Sequence, residues 1–448
     1  MNDTIAAIAT PIGVGGVGII RVSGNHSKSI VSNFFKIKNS FESHKAIFGK
    51  IKEKGTDQII DSVLLIYFQS PKSYTGEDTV EIHCHGSPLI LNKVLDLCIK
   101  YGARLADPGE FTKRSFINGK IDLTQAEAVY DLINSKTFVS LNSANEQMEG
   151  KLSSRIKKVR AKLIKMLSHI EAIIDFPDEI DEVPLTYFSP VVIEADNLVK
   201  ELLLTAEAGK LYREGVKIAI VGKPNVGKSS LLNSLLRMER AIVTDIAGTT
   251  RDTLEEFINI RGVPIQVIDT AGLRKTDDKV EKIGIARSYQ TIETAQLVLF
   301  VTDGSTQLQN DELELLNNLK DSKPFIFIVN KIDISDNFNL PKEIENICFV
   351  SAKYNKGIEK LENNIVEIIF KGKTDSNLDI NINNRHKEIL YRASELLEKS
   401  IITIDNNLPI DFLAIDIKAV VVSMGEIIGE NVTEEIITEI FANFCVGK

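Results

Sequence analysis

The sequence predicts a multidomain protein: an α+β module, a bundle of helices, and an α/β module inserted into that bundle. Three observations predict it. Up to about residue 117, short apolar runs alternate with Gly-rich turns; beyond Asp122, apolar residues recur three or four positions apart. Between about 215 and 372 the pattern becomes strand, loop, helix, with helical sequence on both sides. The 448 residues are 43% hydrophobic and 26% charged, which sustains several cores and excludes disordered and fibrous classes. A net charge of −9 excludes a face-wide basic surface for indiscriminate nucleic-acid binding but leaves room for a local basic patch. No apolar run approaches the roughly 18 to 20 residues of a membrane helix, and the N-terminus lacks a basic or Arg-rich leader pattern. The expected location is therefore the cytosol.

The runs TIAAIATP, GVGIIRVSG, AIFGKI, IIDSVLLIYFQSP and TVEIHCHG read as strands, with SIVSNFF and LILNKVLDLCIKYG as helices between them. GVGGVG lacks the strand-to-helix setting of a dinucleotide site, so its glycines are expected to serve tight turns. Cysteines at 84, 98, 348 and 445 are too scattered for a disulfide framework or a paired metal site. On a strand, His83 and His85 share one face and Cys84 points away; no second ligand cluster answers them, so structural roles are expected. Leu152, Ile156, Val159, Leu163, Met166 or Leu167, Ile170 and Ile174 form the apolar stripe of a bundle helix. DFPDEIDEVP (175–184) breaks it as a solvated acidic loop, and a further helix runs to about Arg213.

In the inserted module, VKIAIVG, PIQVIDT, QLVLFVTD, PFIFIVNK and ICFVS are β-rich, which predicts a parallel, doubly wound sheet. KGKTDSNLDININ then serves as a polar linker to the last helical block. The expected divisions are 1–117, 118–213, 214–372 and 373–448.

The segment Gly222-Lys223-Pro224-Asn225-Val226-Gly227-Lys228-Ser229 fits G-x-x-x-x-G-K-S/T between a strand and the helix SSLLNSLL, which opens with Ser229 and Ser230. In such a loop the backbone N–H groups face phosphate oxygens, Lys228 reaches the β- and γ-phosphates, and Ser229 ligates magnesium. Asp269-Thr270-Ala271-Gly272 closes the strand PIQVIDT, where an acidic residue sits behind the magnesium ion and Gly meets the γ-phosphate. Asn330-Lys331-Ile332-Asp333 closes PFIFIVNK; an Asp there accepts two hydrogen bonds from a guanine edge that adenine lacks. Ser351-Ala352-Lys353 follows the next strand and resembles the loop at guanine O6. Together these read as a P-loop GTPase module related to translation factors.

The loop Thr244-Asp245-Ile246-Ala247-Gly248-Thr249-Thr250-Arg251-Asp252 holds Thr250 as a second magnesium ligand. Leu273 stands where Ras-like proteins place a water-positioning Gln, so another group has to answer the transition-state charge. Asn225 with TDIAGTTRD resembles the potassium-activated GTPases. That resemblance nominates the Asn225 side chain and backbone oxygens of Thr244, Ile246 and Thr249 as potassium ligands, all oxygens as a hard cation prefers. The alternative is that Asn225 only holds the loop by hydrogen bonds.

Over nearly its whole length the sequence resembles the MnmE (TrmE) family of tRNA-modification GTPases. The resemblance rests on DTIAAIATPIGVGGVGIIRVSG, SYTGEDTVEIHCHG, DPGEFTKRSFINGKIDLTQAEAV, the inserted GTTRD and DTAGLR, and Phe444-Cys445-Val446-Gly447-Lys448. Ser87 and Val446 depart slightly from the usual pattern. The resemblance implies a homodimer joined by a folate-binding-like N-terminal domain that holds a one-carbon tetrahydrofolate (the 5-formyl or 5,10-methylene derivative). It also implies action with the FAD protein MnmG (GidA) to build a carboxymethylaminomethyl or aminomethyl group on C5 of the wobble uridine of certain tRNAs. Arg21, Glu81, Lys120 and Lys448 match the folate positions; carboxylate and cations suit a pterin edge and an acidic tail, although Arg21 also reads as a surface ion pair.

Glu281 matches the family's residue for orienting the attacking water, or is a helix-surface carboxylate. Arg251, Asp252 and Arg274 belong with switch contacts between paired GTPase modules. Cys445 is either a nucleophile or one-carbon carrier, or a packed small hydrophobe. A rival reading is a ribosome-assembly switch without base chemistry, against which stands the lack of a GxxG in a basic αβ setting after residue 372. A second rival is a folate enzyme for which GTP is regulatory alone.

Overall fold

The structure is a computed structural model; it describes all residues except 1–2, 37–40, 54, 56–57, 182, 239–256, 269–290, 321, 335–343 and 371–381. Strands β1 (Ile5–Ile8), β2 (Gly15–Ser23), β3 (Ala46–Lys52), β4 (Ile59–Phe68), β5 (Thr79–Gly86) and β6 (Arg104–Leu105) form one sheet in the order β3-β4-β5-β2-β1-β6. Alternation along β4 and β5 turns Val63, Leu65, Val80 and Ile82 inward, against helix α2 (Pro88–Lys100). Helices α1 (Ser27–Ser32) and α3 (Glu110–Ile117) complete the module.

The glycines expected to make tight turns do something else. Gly15 and Gly18 lie within β2 on either side of a register irregularity opposite β5. A Cβ on Gly18 would stand 2.5 Å from Leu91 Cδ1, so its missing side chain lets α2 pack directly on the strand.

Arg114 is 1% exposed and gathers Asp3, Glu77 and Glu110 at 2.8, 3.1 and 3.0 Å. That places α3 against the first strand and the loop before β5.

Helical texture begins at α4 (Leu123–Asn134), where Asp122 and Gln125 form a capping box, and continues in α5 (Phe138–Met148), capped likewise by Thr137 and Ser140. Next come α6 (Lys151–Asp175) and α7 (Ser189–Glu214). Along α6 the apolar stripe is buried as its spacing predicts, except that Ile173 is the buried member of its pair and Ile174 packs at the edge. The inserted module follows with β7 (Val216–Val221), α8 (Lys228–Met238), β8 (Phe257–Ile260), β9 (Val263–Ile268), β10 (Leu297–Asp303), α9 (Asn310–Lys320), β11 (Phe325–Asn330), β12 (Ile347–Phe349) and α10 (Ile358–Phe370). Its sheet runs β12-β11-β10-β7-β9-β8, with β8 antiparallel to β9. The purely parallel sheet expected from sequence is thus corrected. FINI is a four-residue edge strand hairpinned through Arg261-Gly262, too short to stand out as a buried run.

Beyond the linker come α11 (Asn384–Asp405), α12 (Ile410–Ile428) and α13 (Glu434–Ala442). Residues from before and after the insertion share one core: Ile156, Leu163, Val199, Leu397 and Ile417 are buried together. Each such side chain contributes about 1.5–3 kcal/mol on burial. No described helix is long and apolar enough to cross a membrane.

A polar clamp fastens the two halves of this bundle. Arg385 donates to both oxygens of Glu127 at 2.8 and 3.0 Å and to the carbonyls of Glu426 and Ile427 at 2.9 and 3.0 Å. His386, fully buried, lies 2.8 Å from Glu127 through Nε2. Burial pushes the Glu127 carboxyl up, but His386 and Arg385 outweigh it and hold it well below its usual range. Burial holds the His386 pKa below its ordinary value against the pull of Glu127.

Both depressions act in the same direction. Below about 6.5 the unfolded chain takes a proton on His386 that the folded chain refuses, and below about 4.3 it does so on Glu127. Stability should therefore fall as pH drops through these two windows, read as urea midpoints against pH. Arg385→Ala should cost about 3–5 kcal/mol by leaving Glu127 buried with less compensation. A pH-independent midpoint would contradict the clamp.

Candidate functional site

Residues 222–227 turn the chain from β7 into α8 with left-handed conformations at Gly222 (φ 143°), Asn225 (φ 63°) and Gly227 (φ 98°). A Cβ on Gly222 would stand 2.1 Å from the Val301 carbonyl oxygen, and one on Gly227 2.2 Å from Asn330 Nδ2. Only glycine permits this close approach. The resulting loop opens directly onto the N-terminus of α8, where backbone N–H groups and the helix dipole attract phosphate. Lys228 Nζ folds over the loop, donating to the carbonyls of Gly222 and Lys223 at 2.7 and 2.6 Å. Burial pushes its pKa down, so an anion at this point gains from a cation poorly served by water.

Asn330, 2% exposed, holds the two sides of the site together. Its Nδ2 donates to Val226 O at 2.8 Å and its Oδ1 accepts from Ala352 N at 3.1 Å. One amide thus fixes the phosphate loop relative to the loop of Ser351, Ala352 and Lys353. Ser351 Oγ donates to Asp333 Oδ1 at 2.5 Å, and Ser234 Oγ donates to Ala352 O at 2.7 Å. Lys331, at φ 63°, pairs with Asp303 at 2.6 Å, and Lys353 Nζ lies 5.1 Å from the Tyr354 ring centre.

Burial pushes the Asp303 carboxyl up, but Lys331 and the hydroxyl and backbone N–H of Ser305 together outweigh it and hold the carboxyl below its usual range. Asp303 was not nominated from sequence; its signal is an acidic residue ending the strand beside β11. Asn225, Val226, Gly227, Lys228, Ser229, Ser230, Asn330, Lys331, Asp333, Ser351, Ala352 and Lys353 therefore surround one loop cluster at the β-strand C-termini. Thr244, Asp245, Ile246, Ala247, Gly248, Thr249, Thr250, Arg251, Asp252, Asp269, Thr270, Ala271, Gly272, Leu273, Arg274 and Glu281 lie outside the described residues.

A second constellation forms at the N-terminal sheet. Arg21 on β2 stands directly across from Glu81 on β5, and its Nε and Nη2 both meet Glu81 Oε1 at 2.9 Å. Arg21 Nη1 donates to Gly447 O at 3.2 Å, and its guanidinium lies 5.6 Å from the ring centres of Tyr74 and Phe111. The pair is largely buried, at 15% and 17% side-chain exposure, which corrects the surface-pair alternative for Arg21. The last residues are strapped down by backbone bonds: Phe111 N donates to Lys448 O at 3.2 Å and Gly109 N to Cys445 O at 3.4 Å.

Burial pushes the Lys448 pKa down and Arg21 acts the same way, against Glu81. Two cations beside one carboxylate suit an incoming anion. Lys120 is not in this group: its Nζ donates to Pro71 O at 3.0 Å, on the loop before β5. Cys445 is exposed, whereas burial pushes the Cys84 and Cys98 thiols up to about 12 and leaves them inert. His83 Nε2 faces Glu81 Oε2 at 3.5 Å, and His85 Nδ1 meets Asp61 at 2.6 Å on its own. No metal-holding group of three or more His, Cys, Asp or Glu exists among the described residues.

A P-loop opening a helix, an Asn-Lys-x-Asp turn and a Ser-Ala-Lys turn on one doubly wound sheet define a P-loop GTPase. The family model described as MnmE helical domain matches residues 123–445, and that described as GTP-binding protein TrmE N-terminus matches 4–120. The chain is 46% identical to the tRNA modification GTPase MnmE of Acetivibrio thermocellus over 458 residues, covering 100% of this chain and 99% of that protein. It is 44% identical to the protein of that name from Alkaliphilus oremlandii over 460 residues, covering 100% of both. The chain belongs to the MnmE family of tRNA modification GTPases.

The Asn330 amide supplies a direct check. Asn330→Ala strands Val226 O and Ala352 N, each worth about 1–3 kcal/mol when buried unpaired. Affinity for a fluorescent GTP analogue should fall roughly 10- to 100-fold while the helical bundle stays folded. Unchanged affinity would show that the two loops do not depend on this residue.

Proposed function

We propose that this protein hydrolyses GTP to drive addition of a carboxymethylaminomethyl or aminomethyl group to C5 of the wobble uridine of certain tRNAs. It acts as a homodimer in the cytoplasm, together with an FAD-dependent partner of the MnmG type. One observation carries the reading: Lys228 and Asn330 belong to one loop cluster at the P-loop and, separately, two cations, Arg21 and Lys448, act on the same carboxylate, Glu81. A switch alone needs the first. Group transfer to a base needs something like the second, with an exposed thiol, Cys445, beside it.

In this reading, the loop N–H groups and Lys228 hold the phosphates, and Asp333 accepts from the guanine edge with Ser351 fixing its carboxylate. Ser229 and Thr250 are the magnesium ligands. Asn225, in its left-handed conformation, is the side-chain ligand for potassium, joined by backbone oxygens of Thr244, Ile246 and Thr249. The cation supplies the positive charge that Leu273 cannot, and Glu281 orients water. Thr244 to Gly248 and Asp269 to Gly272 serve as switches, and Arg251, Asp252 and Arg274 meet the second GTPase module.

In the same reading a tetrahydrofolate is held by Arg21, Glu81, Lys448 and Lys120: Glu81, beside Arg21, reads the amide-and-amine edge of the pterin, and Lys120, which lies apart on Pro71 O, is the cation for the glutamate tail. When bound it supplies the one-carbon unit. The chain's own residues orient it and keep Cys445 within the same strapped segment.

GTP hydrolysis on the purified protein should rise strongly in potassium over sodium at equal ionic strength, and Asn225→Ala should erase the difference. Equal rates in both salts would remove the cation mechanism. Lys228→Ala should abolish both hydrolysis and the modified wobble nucleoside in a strain that carries only the variant; full modification would overturn the proposed coupling.

A further inference from the structure

Lys223, the second residue of the phosphate loop, is tied to an element outside that loop. Its Nζ donates to Gln309 Oε1 and lies 3.6 Å from Glu312 Oε2, at the start of α9. Glu312 is buried, and its carboxylate is shared among three elements. Oε2 accepts from the backbone N–H of Gln309 at 3.0 Å, and Oε1 accepts from Thr302 Oγ1 on β10 at 3.3 Å. The first contact is what a Glu three residues after a helix cap supplies, and it serves α9 alone. The contacts to Thr302 and Lys223 do nothing for that helix. They join α9, β10 and the phosphate loop through one buried charge.

The Lys223 and Glu312 side chains are 28% and 8% exposed, so this is not a solvated surface pair. Removing the ammonium would leave the carboxylate buried without its counter-charge.

β10 also meets the loop directly, at the close approach of Gly222 to Val301 O. Gly222 is thus located by its main chain and Lys223 by its side chain. These two residues own the carbonyls to which Lys228 Nζ donates, at 2.7 and 2.6 Å. An ammonium has three donors. With two of them given to fixed carbonyls, the direction of the third is set, and that is the donor left for a phosphate oxygen. Moving the Lys223 carbonyl would turn this donor without touching Lys228 itself.

We propose that Glu312 is a positioning residue for GTP, acting through Lys223. It holds the Lys223 ammonium, and with it the carbonyl that aims Lys228 at the β- and γ-phosphates. This rests on the reading that Lys228 meets those phosphates.

Equilibrium binding of fluorescent analogues of GTP, GDP and GMP to the full chain tests this. Glu312→Gln keeps acceptors for Gln309 N and Thr302 Oγ1 but loses the charge, and Lys223→Met keeps the stem but loses the ammonium. Each should weaken GTP and GDP roughly 3- to 10-fold and leave GMP, which has neither a β- nor a γ-phosphate, unchanged. The double variant should bind no more weakly than the weaker single one, because both break the same contact. Lys223→Arg, which keeps charge and reach, should bind as the wild type does.

Equal losses for GMP and GTP would make the contact a support for the fold alone. Additive losses in the double variant would make the two residues independent. Either result overturns the proposal, as does unchanged binding by Glu312→Gln. Lys228→Ala separates the proposal from the reading beneath it. If that variant binds GTP and GDP as tightly as the wild type, the phosphate assignment fails and the proposal with it. If it loses them while Glu312→Gln does not, the assignment stands and the proposal alone fails.

Discussion

The fork made by Arg21 is the contact on which the rest of the arrangement depends. Its guanidinium meets Glu81 across the β2–β5 register and, with its remaining nitrogen, the Gly447 carbonyl more than four hundred residues away in sequence. A guanidinium is suited to this because its donors are planar and fixed, so one side chain can hold a carboxylate and a carbonyl in set directions. Gly447 itself has φ 96°, and a Cβ there would stand 2.3 Å from Ile8 O, so the tail lies tight on β1. Once the tail is held, Lys448 and the segment of Cys445 have a defined address beside the N-terminal sheet.

Fastening the tail also fastens the helices that precede it. The bundle core is shared between α6 and α7 on one side of the insertion and α11 and α12 on the other, and the Glu127–Arg385–His386 clamp closes the same joint with charge. The nucleotide module therefore hangs from this frame at the crossing from α7 into β7. Gly215, at φ 83° and with no room for a Cβ beside Pro264 O, makes that crossing a sharp turn. Lys136 on Phe257 and Val139 against Gly262 bring the bundle onto the β8–β9 hairpin. A change in the nucleotide loops has packed side chains, not a loose linker, through which to reach the bundle.

Much of this was legible in the residues. The phosphate loop, the Asn-Lys-x-Asp turn and the bundle stripe could be read because local chemistry alone dictates them: glycines where φ is positive, apolar residues at helical spacing. The five longest strands of the first sheet were equally plain. What escaped the sequence depends on tertiary placement. Gly18 yields to Leu91 on another element, and FINI is a strand only because β9 pairs with it. Ile173 rather than Ile174 faces the core because the helix phase is set by its neighbours. Asp303, Gly447 and the clamp at Glu127 act through partners far along the chain, and nothing near them in sequence marks the pairing.

The account stands most directly on Arg21, Glu81 and Lys448 being one site, built from the β2–β5 pair and the residues after α13. Equilibrium binding of 5-formyl-tetrahydrofolate to the intact protein and to a version lacking Cys445 to Lys448 tests this. The account predicts that removing the tail abolishes saturable binding while GTP affinity and the helical far-UV signal persist. Undiminished binding by the shortened chain would contradict it, because the site would then owe nothing to the residues that Arg21 holds in place.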